Sequence, residues 1–172
     1  MKNYFTIILS FFFGLTFGQT GSNKVKEIHN TVEQINRDTG YTTRTLDNEE
    51  FLDHMTDNGE SVTGYFKNGQ LVKIVEWIGL SSCINITEYY FKDDTLIFAY
   101  TQGKVFQYID STASFNYNVQ NIVMECRFYF DNNKLIKSIF NGSTVCSGEP
   151  SDSWAKNYQS DCEEYIKLFR KK

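Results

Sequence analysis

The chain has 172 residues, with 17 lysines and arginines against 21 aspartates and glutamates and a net charge of −4. An acidic chain with no basic patch lacks the electrostatic footprint of a nucleic-acid binder and the polybasic surface that holds a protein to anionic lipid. Beyond its first residues, no stretch is apolar for long enough to cross a bilayer.

The opening residues read as an export signal. Lys2 gives a basic start, Phe5 to Phe13 is apolar apart from Thr6 and Ser10, and Gly14 to Gly18 supplies small residues. The apolar run is too short for a membrane span, so residues 1–18 are expected to be a secretory signal peptide cut near Gly18. Residues 19–172 then form a single domain, exported to the periplasm or the outside of the cell. With no cysteine after the cleavage region to carry a lipid, no stable membrane anchor is expected. Without Lys2 the mature chain holds 16 basic and 21 acidic residues, net −5. Its length of about 150 residues is enough to bury a core.

From Ser22 to Asp38 the apolar residues Val25, Ile28, Val32 and Ile35 recur at helical spacing, and Gly40 offers a stop. Residues 41–46, "YTTRTL", are Thr-rich and extended in character. Asp47 and Glu50 are spaced as a capping box for a short helix through Phe51, Leu52 and Met55. Strands follow to about Asn141. After Pro150, the only proline and placed where a helix would begin, Trp154, Tyr158, Cys162, Tyr165, Ile166 and Phe169 share one helical side.

Three phrases in the strand region repeat one another: "GYFKNGQLVKI" from Gly64, "YYFKDDTLIFA" from Tyr89 and "FYFDNNKLIKS" from Phe128. Four residues always separate Phe from Leu, and the central pairs are Asn68-Gly69, Asp93-Asp94 and Asn132-Asn133. These residue types accept the positive φ of the two-residue type I′ turn, whose twist matches that of the flanking strands. Each phrase therefore predicts a tight hairpin in which Phe66 faces Leu71, Phe91 faces Leu96 and Phe130 faces Leu135.

Strict alternation sorts the side chains into two faces. A Phe/Leu core face takes Val62, Phe66, Leu71, Val75 and Trp77, then Tyr89, Phe91, Leu96, Phe98 and Tyr100, then Cys126, Phe128, Phe130, Leu135 and Ile139. The opposite face takes Tyr65, Val72, Ile74, Tyr90, Ile97, Ala99, Tyr129, Ile136 and Phe140 with Glu76, Glu88, Glu125 and Arg127. The expected fold is α+β: an antiparallel sheet of about six strands built from three β-hairpins, with an N-terminal and a C-terminal helix packing on it. The leucines stand 25 and then 39 residues apart. An insertion over about Gly103 to Gln120 therefore lies between the second and third hairpins, as a long loop or an extra strand pair.

The repeated Tyr-Phe hairpins and the intervening "VEWIGLSS" resemble uncharacterised secreted bacterial proteins of a type common in Bacteroidetes, over most of the mature chain. The hairpins alone resemble variant MORN-type repeats. Neither resemblance implies a catalytic residue.

Four cysteines, Cys83, Cys126, Cys146 and Cys162, fall in an exported chain, so up to two disulfides are expected. Three connectivities are open. Cys83 with Cys126 and Cys146 with Cys162 is the favoured one, and reduced structural cysteines are the alternative. Without a CxxC or a nearby histidine these residues do not read as a metal site. His29 and His54 read as surface histidines. No serine or cysteine has a recognisable nucleophile context; Ser81 in "GLSS" follows a turn glycine. No Gly-rich loop opens a helix after a strand. Asp53, Asp57 and Glu60 lack the alternation of a calcium loop. No metal or cofactor is expected.

Two functional readings remain. Tyr65, Tyr90 and Tyr129 occupy the same place in each hairpin, off the Phe/Leu face, and together would make an aromatic strip for a partner protein or a glycan in the envelope or outside the cell, unless a terminal helix covers them. The leading expectation is thus a non-enzymatic secreted or periplasmic binding protein. The competing one is a small hydrolase of envelope polymers using Glu76, Glu88 and Glu125 on one sheet face, against which stands plain charge pairing of Arg127 with Glu88.

Overall fold

The computed structural model describes residues 17–46, 51, 56–143 and 146–171. The signal segment up to residue 16 lies outside them, as do Asp53 and His54 and, except for Phe51, the short helix expected from Asp47. The order of elements is α1 (Phe17–Arg37), β1 (Thr42–Leu46), β2 (Glu60–Lys67), β3 (Gln70–Gly79), β4 (Cys83–Lys92), β5 (Thr95–Ile109), β6 (Ser114–Asp131), β7 (Lys134–Gly142) and α2 (Trp154–Arg170). The fold is α+β, with one antiparallel sheet in the order β1 to β7.

The sheet has seven strands rather than six, because the Thr-rich stretch after α1 pairs with β2 and takes the edge. The expected insertion is neither a loop nor a separate strand pair. It lengthens β5 and β6 into one long hairpin that turns near Asp110, with Tyr108 and Tyr117 exposed along it.

All three expected turns form. Asn68, Gly69, Asp93, Asp94, Asn132 and Asn133 have φ between 49° and 79°, and Phe66, Phe91 and Phe130 pair with Leu71, Leu96 and Leu135. Immediately beyond each pair the register slips by one. Tyr65 pairs with Lys73, Tyr90 with Phe98 and Tyr129 with Lys137, which leaves Val72, Ile97 and Ile136 as the extra residues of three equivalent bulges.

The bulges overturn part of the alternation reading, since one extra residue moves every later side chain of that strand to the other face. On β2, β4 and β6 the expected faces hold. On β3, β5 and β7, Val75, Trp77, Phe98, Tyr100 and Ile139 leave the Phe/Leu face, while Ile74, Glu76, Ala99 and Phe140 join it. Ile74 and Ala99 accordingly sit in the main core, and Phe98 packs with Tyr90 and Tyr129 on the other side.

Each helix covers one face. Ala155, Tyr158, Cys162, Tyr165 and Phe169 form the buried stripe of α2, at alternating spacings of three and four, and it rests on the Phe/Leu face. Burying a side chain as large as Phe169 stabilises the domain by about 1.5–3 kcal/mol. The close fit depends on Gly64, where an added Cβ would stand 2.9 Å from the Phe169 ring. Pro150 lies ahead of α2 rather than in its first turn, and Ser153 occupies the N-cap. Helix α1 lays Ile28 and Val32 on Tyr90, Ile97, Phe98 and Tyr129. Arg37 pairs with Glu33 along its exposed side, and Lys24 and Glu27 tie its flank to Asp131 and Lys92 of the sheet.

One disulfide joins Cys83 to Cys146, and Cys126 and Cys162 are free and buried. The favoured pairing is thereby corrected. Cys126 lies mid-strand on β6 and Cys162 on the stripe of α2, both inside the main core, whereas Cys83 opens β4 where the chain leading to α2 passes.

Candidate functional site

The register lines side chains into rows running across the sheet. On the α1 face the first row reads Tyr65, Lys73, Tyr90, Phe98, Tyr129 and Lys137 from β2 to β7. The three equivalent tyrosines thus do share one row, interleaved with the residues that the bulges turn over. Tyr90 and Tyr129 are covered by α1 and are 1% and 7% exposed. Tyr65 stays partly exposed, edge-on to Tyr41 at 6.1 Å.

The next row, Val75, Glu88, Tyr100, Arg127 and Ile139, runs along the edge of α1. Between them lies a cleft of about 300 Å³, walled by His29, Glu33 and Asn36 of the helix and floored by Glu88, Tyr100 and Arg127. The Arg127 guanidinium stands 4.8 Å from the centre of the Tyr100 ring and donates to Glu125 at 3.2 Å. The Tyr100 hydroxyl also donates to Glu125 and accepts from Gln102 at 2.8 Å. Burial, then the bond to Glu125, pushes the Tyr100 hydroxyl up to about 12. The same bond, helped by Arg127, holds Glu125 below the usual carboxylate range.

The expected pairing of Arg127 with Glu88 does not form, because Tyr100 stands between them in the row. Glu88 instead pairs with Lys73 at 3.1 Å and takes a hydrogen bond from the buried Tyr90 hydroxyl. His29 is on the exposed side of α1, 3.2 Å from Glu33.

Glu76 is on the other face, because it follows the β3 bulge. Its register partner is Thr87, and its carboxyl takes hydrogen bonds from Tyr89 at 3.0 Å and from Tyr165 of α2. The three carboxylates expected together on one face are therefore divided by the sheet. Burial is the main cause that pushes Glu76 up to about 7.

Above Glu76, a second cleft of about 280 Å³ opens between the sheet and the first half of α2. It is lined by Asn85, Thr87 and Thr101 from the sheet, Tyr158 and Asp161 from α2, and Ser147 beside the disulfide. Asp161 was not singled out from the sequence. Its signal is its place immediately before Cys162, on the border of the apolar stripe.

Asp57 takes a hydrogen bond from Ser81. Among the described residues no three His, Cys, Asp or Glu side chains are arranged to hold a metal ion. No described helix is long and apolar enough to cross a membrane. Comparison with protein-family models, with curated proteins and with solved structures gives no match to this chain.

Proposed function

We propose that this chain is an exported, non-enzymatic binding protein whose ligand seats in the cleft beside α1. The export reading rests on the basic, apolar and small-residue order of the first eighteen residues, and the Cys83–Cys146 disulfide fits an oxidising compartment. The observation that carries the binding reading is the Tyr100–Arg127 stack in a face that α1 leaves open. An aromatic ring offers a large apolar area at small entropic cost, and a guanidinium adds directional donors, the pair of chemistries that a glycan or a protein segment requires.

Tyr65, Tyr90 and Tyr129 keep a role in this reading, although a different one from an exposed strip. Tyr90 and Tyr129 form the back of the cleft, and Tyr65 extends the row toward β1. The competing reading, a hydrolase of envelope polymers, has less to support it, since Glu76 lies across the sheet from Glu88 and Glu125 and the latter two are tied to Lys73 and Arg127.

The test compares the mature chain with Tyr100→Ala and Arg127→Ala on glycan arrays and against envelope fractions. Loss of the same ligand in both folded variants is expected. Undiminished binding in both places the ligand elsewhere.

A further inference from the structure

The two edges of the sheet are closed to different degrees. β1 has five residues, and Arg44 in its middle donates to the carbonyls of Phe169 and Lys171 at 3.3 and 3.0 Å, so the end of α2 lies against that edge. β7 has nine residues, from Lys134 to Gly142, and its one neighbour in the sheet is β6. Among the described residues, no turn, loop or helix gives its outer side a backbone hydrogen bond. Alternate N–H and C=O groups along it are left to solvent, which makes it a template for one more strand.

Exposed apolar surface is gathered at the same side of the molecule. Every large apolar side chain exposed among the described residues belongs to β5, β6 or β7, and Ile136, Ile139 and Phe140 are on β7 itself. The main core reaches the rim there. Phe140, 39% exposed, packs edge-on to the buried Phe128 with ring centres 5.5 Å apart, and Leu135 rests on the same cluster. An edge that is long, apolar and uncovered is a liability for a protein that stays alone, and a binding feature for one that does not.

Charge along this edge is sorted by face. Lys137 stands in the α1 row, and Lys134 shares its side because it alternates with Leu135. Neither lysine forms an ion pair among the described residues, although the chain is acidic overall. On the Phe/Leu side, Ser138 donates to Asp152 at 2.5 Å, which places a carboxylate there that would repel another. An added strand is therefore favoured when its acids lie on the α1 side and its apolar residues on the Phe/Leu side. A second copy of β7 meets this demand poorly. Full antiparallel overlap of two copies centres on Ser138, which makes the two Lys137 side chains diagonal neighbours about 7–8 Å apart. The strand, Lys-Leu-Ile-Lys-Ser-Ile-Phe-Asn-Gly, has no acid to offset them.

We propose that β7 is a docking edge for an extended segment of a partner protein in which acidic and apolar residues alternate. The segment extends the sheet by main-chain hydrogen bonding, and side chains on its two faces give the specificity. Its carboxylates face Lys134 and Lys137, and its apolar side chains cover Phe140 and Leu135. The bulge at Ile136 bends the first part of the strand, so the regular stretch from Lys137 to Gly142 provides most of the pairing.

Tyr100 is on β5, two strands from this edge, so Tyr100→Ala leaves β7 intact and the two readings fail separately. The probes are end-capped peptides of alternating glutamate and valine, of alternating lysine and valine, and the glutamate peptide N-methylated along its backbone. Each is titrated into the mature, disulfide-bonded chain and followed by fluorescence anisotropy and amide hydrogen exchange. Saturable binding of the glutamate peptide is expected, with slowed exchange at β7, and the other two should bind more weakly by on the order of tenfold or more. Lys134→Glu combined with Lys137→Glu, both at exposed positions, should reverse the order of the two charged peptides, a result that loss of folding does not produce. No binding of the glutamate peptide, equal binding of its N-methylated form, an unreversed order in the charge-reversed variant, or a dimer of the chain alone that protects β7 from exchange overturns the proposal.

Discussion

The Tyr89 hydroxyl on β4 donates to Glu76 Oε2 on β3 at 3.0 Å, beneath the roof of α2. This places a carboxyl inside the main core, and its titration is linked to folding. Glu76 is raised from its ordinary 4.5 to about 7, chiefly by burial, and Asp161 from 3.8 to about 6. Between those values the folded state keeps protons that the unfolded chain releases, so stability falls as pH rises through the window. Denaturant unfolding should show the domain more stable near pH 5 than near pH 8, with Glu76 contributing of order 3 kcal/mol. Glu76→Gln, which keeps an acceptor for Tyr89, should flatten most of that slope. A profile of the same steepness in the variant contradicts the assignment.

The free thiols are the next check. Cys126 and Cys162 are buried, and burial pushes the Cys126 thiol up to about 11 and Cys162 further in the same direction. A buried thiol that is also protonated reacts slowly. Alkylation of the native mature chain should therefore label neither, and alkylation after unfolding without reductant should label two. Peptide mapping should join Cys83 to Cys146 across 63 residues. Cys83→Ala with Cys146→Ala should cost about 2–4 kcal/mol. A peptide containing Cys126 in a disulfide would refute this arrangement.

Gly64 tests how α2 is seated. Its backbone φ is ordinary, so any penalty for Gly64→Ala comes from the clash of the new Cβ with Phe169, 2.9 Å away. Overpacking of this kind costs about 1–3 kcal/mol. Adding Phe169→Leu should cost less in the Gly64→Ala background than in the parent, because part of the clash is removed. Strictly additive losses in the double-mutant cycle would show that the two positions do not meet.

The hairpins were legible because their signals are local. Positive φ at Asn132 and Asn133 follows from the residue types, and the pairing of Phe130 with Leu135 follows from the turn length. The bulges were not legible, because no residue type demands an extra residue at Ile97. It is settled by whether Phe98 packs better beneath α1 than on the Phe/Leu face, which is a tertiary question. The site inherited that error. Glu76, Tyr100 and Trp77 all follow a bulge, so alternation assigned each to the wrong face, while Glu88 on β4 and Arg127 in the regular stretch of β6 from Met124 to Tyr129 were placed correctly. Asp161 escaped notice because a polar residue at the border of an apolar stripe is ordinary until a partner across the interface is known.

The turns give the sharpest stability test, since two of them differ at one backbone position. Gly69 and Asn133 both occupy the second site of a type I′ turn, with φ of 79° and 58°. A Cβ at Gly69 would meet nothing within 4 Å, so Gly69→Ala isolates the cost of a left-handed conformation for an L-residue. That cost is about 1–2 kcal/mol. Asn133→Gly relieves the same cost and retains the backbone carbonyl that accepts from Gln159 at 2.7 Å. Asn tolerates this region better than Ala, and glycine loosens the unfolded chain, so the gain should be smaller, about 0.5 kcal/mol. Urea denaturation of both variants should give shifts of opposite sign. If Gly69→Ala is neutral, the backbone at that turn is not held in the left-handed region, and the shared geometry of the three hairpins fails with it.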